Sequence, residues 1–313
     1  MALVAHSAAG PILDDAARLV EVPTGNVARL GWGAARALAR EQAAAAIFSY
    51  ITPVRPPCPL LVVVHDVTFR LHPEWFSARV RALLGTLVPR SVRHSARVIT
   101  VSETSKADLV AALGVDPDRI SIVTNVPAPA FAPRIDAAAG VRERFGLDRY
   151  CLYVGDVHPR KNLAALAEAI GLLADPHLEF AVVGRAGHRG SAIIAASGAR
   201  WLGPLGDDDL ADLYSAAAVT CYPSLYEGFG LPVVEAMACG SPVVASNRGA
   251  IPEVAGDAAI LVEPTAAAIA EGLRAALEPA AAERLRAGGP ARAATFTLSA
   301  MGDTAWAAIR AVT

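Results

Sequence analysis

Two glutamates, Glu227 and Glu235, bracket Gly228, Phe229 and Gly230 in the most informative stretch of this 313-residue chain. Ionised carboxylates only accept hydrogen bonds, and the hydroxyls of sugars and ribose donate them. The glycines let backbone approach a ligand closely. Pro232 suits the start of a helix, where its missing N–H costs nothing. Gly240 and Pro242 stop that helix, and Val243-Val244-Ala245 follows as a buried parallel strand. Gly228 to Leu231 therefore lie at a helix N-terminus, whose N–H groups and dipole favour an anion. Amides for a diphosphate, flanked by carboxylates for hydroxyls, suit a nucleotide sugar. A lone glutamate would be no more than a favourable helix start; here the glycines, the proline and the paired glutamates coincide.

A second group of residues offers positive charge. Tyr150 to Val154 reads as a strand, Gly155 as the turn after it, and Arg160 and Lys161 as cations beside the next helix start, with Asn162 as its cap. Surface charge beside a cap is the plainer reading, but the strand-end position favours diphosphate binding. Leu60 to Val64 is another strand, and it ends at His65 and Asp66. In open α/β sheets ligands bind at the carboxyl ends of strands, which places His65 for function. The loop Gly203, Pro204 and Leu205 offers a backbone edge for a nucleotide base. Asp207, Asp208 and Asp209 read as the acidic first turn of a helix rather than as metal ligands.

The elements that must hold these residues alternate strand and helix, the pattern of α/β folds. Hydrophobic residues make up 54% of the chain and charged residues 19%, which describes a packed globular protein and not a disordered one. The formal charge of −2 gives no electrostatic case for nucleic acid. Cys58, Cys151, Cys221 and Cys239 form no Cys-x-x-Cys pair, and the histidines show no metal-ligand spacing. We expect buried thiols, a reducing cytoplasm and no metal or other cofactor. No secretory signal and no membrane-spanning run is read. Arginines 79, 81, 90, 93 and 97, with His94, form a basic helical face. A solvated arginine face is preferred there over contact with anionic lipid, because Ala and Leu supply little anchoring bulk.

The run Glu227-Gly-Phe-Gly-Leu-Pro-Val-Val-Glu235 resembles the Glu-seven-residues-Glu signature of the retaining glycosyltransferases of family four, the group 1, mannosyltransferase-like enzymes. The likeness extends from about Ile47 to the C-terminus, and several separate motifs appear in the family's order. It implies the GT-B fold: two doubly wound, Rossmann-like α/β domains facing a central cleft. The boundaries expected are 1–133 for an acceptor-side domain, 134–297 for the donor domain, and 298–313 for a helix crossing back. It implies transfer of a hexosyl group, of mannose or glucose type, from a nucleoside-diphosphate sugar to a hydroxyl of a glycan or lipid-linked acceptor, with retention. Glu227 and His65 are the expected catalytic residues, Glu227 and His65 on the sugar. Gly155, Arg160, Lys161, Gly228, Phe229, Gly230, Leu231 and Glu235 would bind the rest of the donor, Glu235 taking the ribose. The turn Ser102, Ser105 and Lys106 lies near the inter-domain cleft in the family. A cytoplasmic location, with peripheral contact at the inner membrane surface, is the matching expectation.

The chain departs from the family at its start. Leu19 to Val22 reads as a short strand and Asn26 to Ala46 as a helix. Among residues 1–46 only Gly10, Gly25, Gly31 and Gly33 occur, none directly after a convincing strand. The usual opening strand with its glycine-rich loop is therefore expected to be missing, leaving nucleotide binding with slow transfer or none. The rival readings are a nucleotide-sugar epimerase of the same fold, and a non-catalytic nucleotide-sugar-binding partner protein.

Overall fold

A computed structural model of the chain describes residues 2–5, 18–21, 32–186 and 190–313. The chain divides into two units: Met1–Val101, Lys106–Val123 and Gly302–Thr313 form the first, and Ser102–Ser105 with Thr124–Met301 the second. Both are α/β units built on parallel sheets.

In the first unit, β1 (Ala2–Ala5) pairs in parallel with β2 (Arg18–Glu21). The expected absence of an opening strand is thereby corrected. A four-residue strand of small apolar residues carries little pattern, so pairing with β2, not local propensity, defines it. Gly10 lies beyond β1 but outside the described residues, as does Asn26, the expected helix cap. The glycine-rich loop, the other ground for expecting slow transfer, falls on residues outside those described.

A second sheet follows, of β3 (Ala46–Ser49), β4 (Leu60–Val63), β5 (Arg97–Thr100) and β6 (Ile120–Ile122), parallel and in sequential order. The long helix expected to reach Ala46 is shorter, Ala34–Arg40. Gln42 turns at φ +50°, and Ala46 already pairs with Leu60. The alanine run favours helix locally; the sheet overrides it. Val62, Val64, Val88, Val98 and Leu109 are fully buried in this unit's core. Ala308, from the end of helix Leu298–Arg310, packs with Leu61 and Ile99.

The second unit holds a six-stranded parallel sheet of β7 (Tyr150–Val154), β8 (Glu179–Val183), β9 (Arg200–Gly203), β10 (Val219–Tyr222), β11 (Val243–Ser246) and β12 (Ile260–Val262). Its order is 12-11-10-7-8-9, so the direction of winding reverses between β7 and β10. Every residue of β7, β10 and β11 is buried. Strands covered on both faces read as continuous apolar runs, which is what these sequences are. Helix Ala266–Leu277 reaches the sheet closely because residue 272 is glycine: a Cβ there would stand 2.7 Å from Val262 Cγ1.

Helix Pro279–Ala293 was not anticipated, since it contains Gly288-Gly289-Pro290. Gly289 explains the apparent breaker. A Cβ there would lie 2.9 Å from the Met237 carbonyl oxygen, so only glycine lets this helix lie on helix Leu231–Ala238.

Adjacent strands β7, β8 and β9 carry Gly155, Gly184 and Gly203 at their carboxyl ends, with φ of +152°, +140° and +75°. Gly184 is the tightest: a Cβ would fall 2.1 Å from the Gly155 carbonyl oxygen. Gly184→Ala is expected to cost the second unit roughly 3 kcal/mol or more, combining backbone strain with a clash against rigid backbone. Gly198→Ala, at φ +66° but in open space, is expected to cost only about 1–2 kcal/mol. Denaturant unfolding of both variants checks this, and equal losses would show that the close approach is not what demands glycine.

Candidate functional site

The reversal between β7 and β10 makes a crevice at their carboxyl ends, the usual ligand position in an open α/β sheet. The loop after β7 and the loop after β10 meet there. Leu225 N–H donates to the Arg160 carbonyl at 2.7 Å. The Asn162 side chain donates to the carbonyls of Pro223 (3.2 Å) and Pro264 (2.9 Å). Asn162 was expected to cap helix Leu163–Leu173; it precedes that helix at φ +60° but makes no side-chain cap. Its amide ties two loops together instead.

Glu227 stands at the centre of this arrangement. Arg160 Nη1 donates to its Oε2 at 2.9 Å and to the Tyr226 carbonyl at 3.1 Å. Lys161 Nζ donates to Glu227 Oε1 at 2.6 Å and to the Tyr222 hydroxyl at 2.5 Å, and stands 4.7 Å from the Tyr222 ring centroid. Glu227 and Lys161 are both buried, with 6% and 8% exposure. Burial alone would raise the Glu227 pKa, but Lys161 and Arg160 outweigh it and hold the carboxyl below the usual range. Burial lowers the Lys161 pKa, with the Glu227 charge opposing. Burial and then the Glu227 charge keep the Tyr222 phenol protonated far above neutrality. One carboxylate against two cations leaves the cluster with one excess positive charge.

The backbone of Glu227 is fixed as firmly as its side chain. Ala250 N–H donates to the Glu227 carbonyl at 2.9 Å. Gly249, at φ +57°, passes so close that a Cβ would lie 2.4 Å from that oxygen. Ser102 Oγ and Ser105 Oγ both donate to the Gly228 carbonyl, at 2.7 and 3.1 Å. Phe229 is buried edge-on to Phe296, with ring centroids 5.5 Å apart. Gly230, at φ +101°, begins helix Leu231–Ala238, with Pro232 in its first turn. The N–H end of that helix therefore follows directly after the charged cluster.

Glu235 lies one turn into the same helix, and Tyr214 Oη donates to its Oε2 at 3.3 Å. Burial, partly opposed by the Tyr214 bond and reinforced by Asp207, pushes the Glu235 carboxyl up to about 7. Glu227 and Glu235 thus follow one another in sequence but differ in state: one is held ionised by cations, the other titrates near neutrality.

The remaining expected residues fall as follows. Gly155 closes β7, and Asp156 beside it pairs with Arg185 at 2.7 Å. The Gly203 carbonyl accepts from Gly184 N–H at 3.0 Å, Pro204 has no N–H, and Leu205 completes that loop. Asp208 and Asp212 pair with Arg134 at 2.7 and 3.0 Å, and Asp209 pairs with Arg144. His65 belongs to the first unit, just beyond β4, with its ring centroid 5.9 Å from that of Tyr50. Desolvation, partly opposed by Asp66, keeps its pKa below the ordinary histidine value. Asp66 Oδ1 accepts from Thr68 N–H at 2.9 Å and so opens the short helix Thr68–Leu71.

Tyr222, Tyr214 and Gly249 are the functional neighbours that sequence reasoning missed. Tyr222 had one available signal: it is the last residue of an apolar strand, where a polar tip faces the crevice. Tyr214 and Gly249 act through contacts distant in sequence and left none.

Two family models match the chain. Residues 148–279 match glycosyl transferases group 1, and residues 19–126 match glycosyltransferase family 4. The O-antigen chain mannosyltransferase B of Escherichia coli is 34% identical over 215 residues, 64% of this chain and 56% of that protein. The chain thus spans about half the length of the curated relatives it matches. Among solved structures, sucrose-phosphate synthase from Thermosynechococcus elongatus superposes with a TM-score of 0.76 at 21% identity, over 94% of this chain and 83% of that one. Anabaena HepE in complex with UDP and glucose gives 0.71 at 19%, over 93% and 85%.

Glu227→Ala would leave Lys161 as a buried cation without its carboxylate, and the second unit is expected to lose roughly 3 kcal/mol. Adding Lys161→Met should restore at least half of that. Glu227 has a depressed pKa when folded, so its stabilisation is present above the unfolded value and is lost as pH falls through the folded one. Urea unfolding at neutral and acid pH tests both statements; a single variant as stable as the parent would remove Glu227 as the organising charge.

Proposed function

The chain belongs to the family four, group 1 glycosyltransferases of GT-B fold, and we propose that it transfers a hexosyl group from a nucleoside-diphosphate sugar to a hydroxyl acceptor, with retention at the anomeric carbon. The observation that carries this reading is the meeting of Arg160, Lys161 and Glu227 at the reversal of strand order, directly before the start of helix Leu231–Ala238.

In this reading Arg160, Lys161 and the Gly228–Leu231 backbone take the diphosphate. Negative charge grows on the diphosphate as the bond to the anomeric carbon breaks. Cations already fixed in a partly dry site stabilise that charge without reorganising, so the reading needs no metal or other cofactor. Glu227 orients the sugar hydroxyls, and Glu235 accepts from the ribose. Gly203 to Leu205 edges the base. The role given to His65, against the donor sugar, rests on the family resemblance.

For the donor, a mannose or glucose type is proposed. One relative is named a mannosyltransferase, and one structural neighbour was solved with UDP and glucose. The proposed acceptor is a glycan or lipid-linked saccharide, in keeping with the relative's O-antigen substrate class. Among the described residues, no helix is long and apolar enough to cross a membrane. Work at the cytoplasmic side, with peripheral contact at the inner membrane surface, completes the proposal.

Calorimetric titration with GDP-mannose and with UDP-glucose tests the donor site. Lys161→Ala is expected to weaken whichever donor binds by about 1.5–3 kcal/mol, the range for hydrogen bonds to charged groups. That corresponds to roughly ten- to hundredfold. Unchanged affinity for both would remove the diphosphate from this site, and hydrolysis or transfer assays with the binding donor then report the sugar.

A further inference from the structure

We propose that Tyr214 is a positioning residue for the donor: its hydroxyl fixes the Glu235 carboxylate in the orientation that receives the ribose hydroxyls. The inference rests on the nucleotide-sugar reading of Glu235 and adds a residue that reading does not contain.

Three observations converge. Tyr214 is fully buried on helix Asp207–Ala216, with Phe131 edge-on at 6.0 Å between ring centroids, so its hydroxyl has one fixed place. That hydroxyl donates to Glu235 Oε2 at 3.3 Å. Its own acidity is suppressed, first by burial and then by the Glu235 charge, so it remains a donor throughout the physiological range. A phenol that stays protonated and donates to a carboxylate from a rigid place favours the ionised form and one rotamer of that carboxylate.

The titratable groups on the elements packed against the Glu235 helix leave Tyr214 this task. Asp207, on the same helix as Tyr214, opposes ionisation. Cys239, one turn further along the helix of Glu235, is itself pushed up to about 12 and stays neutral. From helix Pro279–Ala293, Arg286 spends its guanidinium on the carbonyls of Gly240 and Ala217. From helix Ile251–Ala255, Glu253 accepts from the amides of Glu103 and Thr104. From β10, Tyr222 is joined to Lys161. Tyr214 is thus the donor that favours the charged carboxylate against burial and against Asp207.

The chemistry predicts a pH signature. Glu235 titrates at about 7, and only the ionised carboxylate accepts from both ribose hydroxyls. Donor affinity should therefore rise about tenfold from pH 6 to pH 8.5. The pyrophosphate diester of a nucleotide sugar does not itself titrate in that range. Removing the Tyr214 hydroxyl raises the Glu235 pKa, so the rise moves to higher pH.

The test is calorimetric titration of GDP-mannose and UDP-glucose from pH 6 to pH 9, with the full chain, Tyr214→Phe and Glu235→Gln. The expected result for Tyr214→Phe is a roughly fivefold loss at pH 7 that shrinks below about twofold at pH 9. Glu235→Gln should bind weakly with a flat pH profile. A Tyr214→Phe loss that is the same at every pH would mark Tyr214 as packing only and overturn the inference. An unchanged Tyr214→Phe profile beside a weakened, flat Glu235→Gln would overturn it too, while sparing the ribose role of Glu235. Full affinity and an unaltered profile in Glu235→Gln would overturn the ribose role itself. Thermal unfolding of Tyr214→Phe, an isosteric change, confirms that a folded protein is being compared.

Discussion

An ionised carboxylate taken out of water costs several kcal/mol unless cations meet it there. Glu227 is almost wholly buried at the end of β10, and the cations that meet it come from the other side of the strand-order reversal, on the loop after β7. Neither loop can place its charges correctly alone. The ion pairs therefore fold the site and the second unit together. Tyr222 completes the cluster: its hydroxyl accepts a hydrogen bond from another Lys161 N–H, and its ring lies beside the ammonium.

That charge cluster needs backbone at close quarters, which explains the glycines around it. Gly184 lets the end of β8 lie against Gly155, and Gly249 lets the loop after β11 lie against the backbone of Glu227. Side chains at either place would push apart the loops that carry the charges. Glycine is unfavourable inside regular structure because of its freedom when unfolded. At these two positions that cost is offset by contacts no other residue allows.

Much of this was legible in the sequence. The GT-B class and the family rested on the Glu227–Glu235 run, where local chemistry and strand–helix rhythm agree. What stayed hidden was set by contacts remote in sequence. Ala2–Ala5 is a strand because of Arg18–Glu21, and Pro279–Ala293 is a helix despite Gly-Gly-Pro because Gly289 lies on the Met237 backbone. Asn162 looked like a cap, yet its amide bridges Pro223 and Pro264. Arg160, Lys161 and Glu227 were each singled out, but as separate ligands of a donor; nothing in their spacing showed that they bind one another.

Their mutual binding changes how the site must work. Under the proposed reading, a diphosphate arriving at Arg160 and Lys161 does not meet bare cations but cations already shared with Glu227. Part of its attraction replaces an existing ion pair, so net affinity is a difference and smaller than two free cations would give. In that reading Glu227, loosened from one partner, would have an oxygen to turn toward the sugar hydroxyls, while the other partner holds its charge. The same exchange runs backwards when the diphosphate leaves, and the carboxylate reclaims both cations. On the proposed function, a buried carboxylate of this kind would serve two ends with one group: it makes the empty site stable, and it would keep the leaving diphosphate from being bound too tightly to be released.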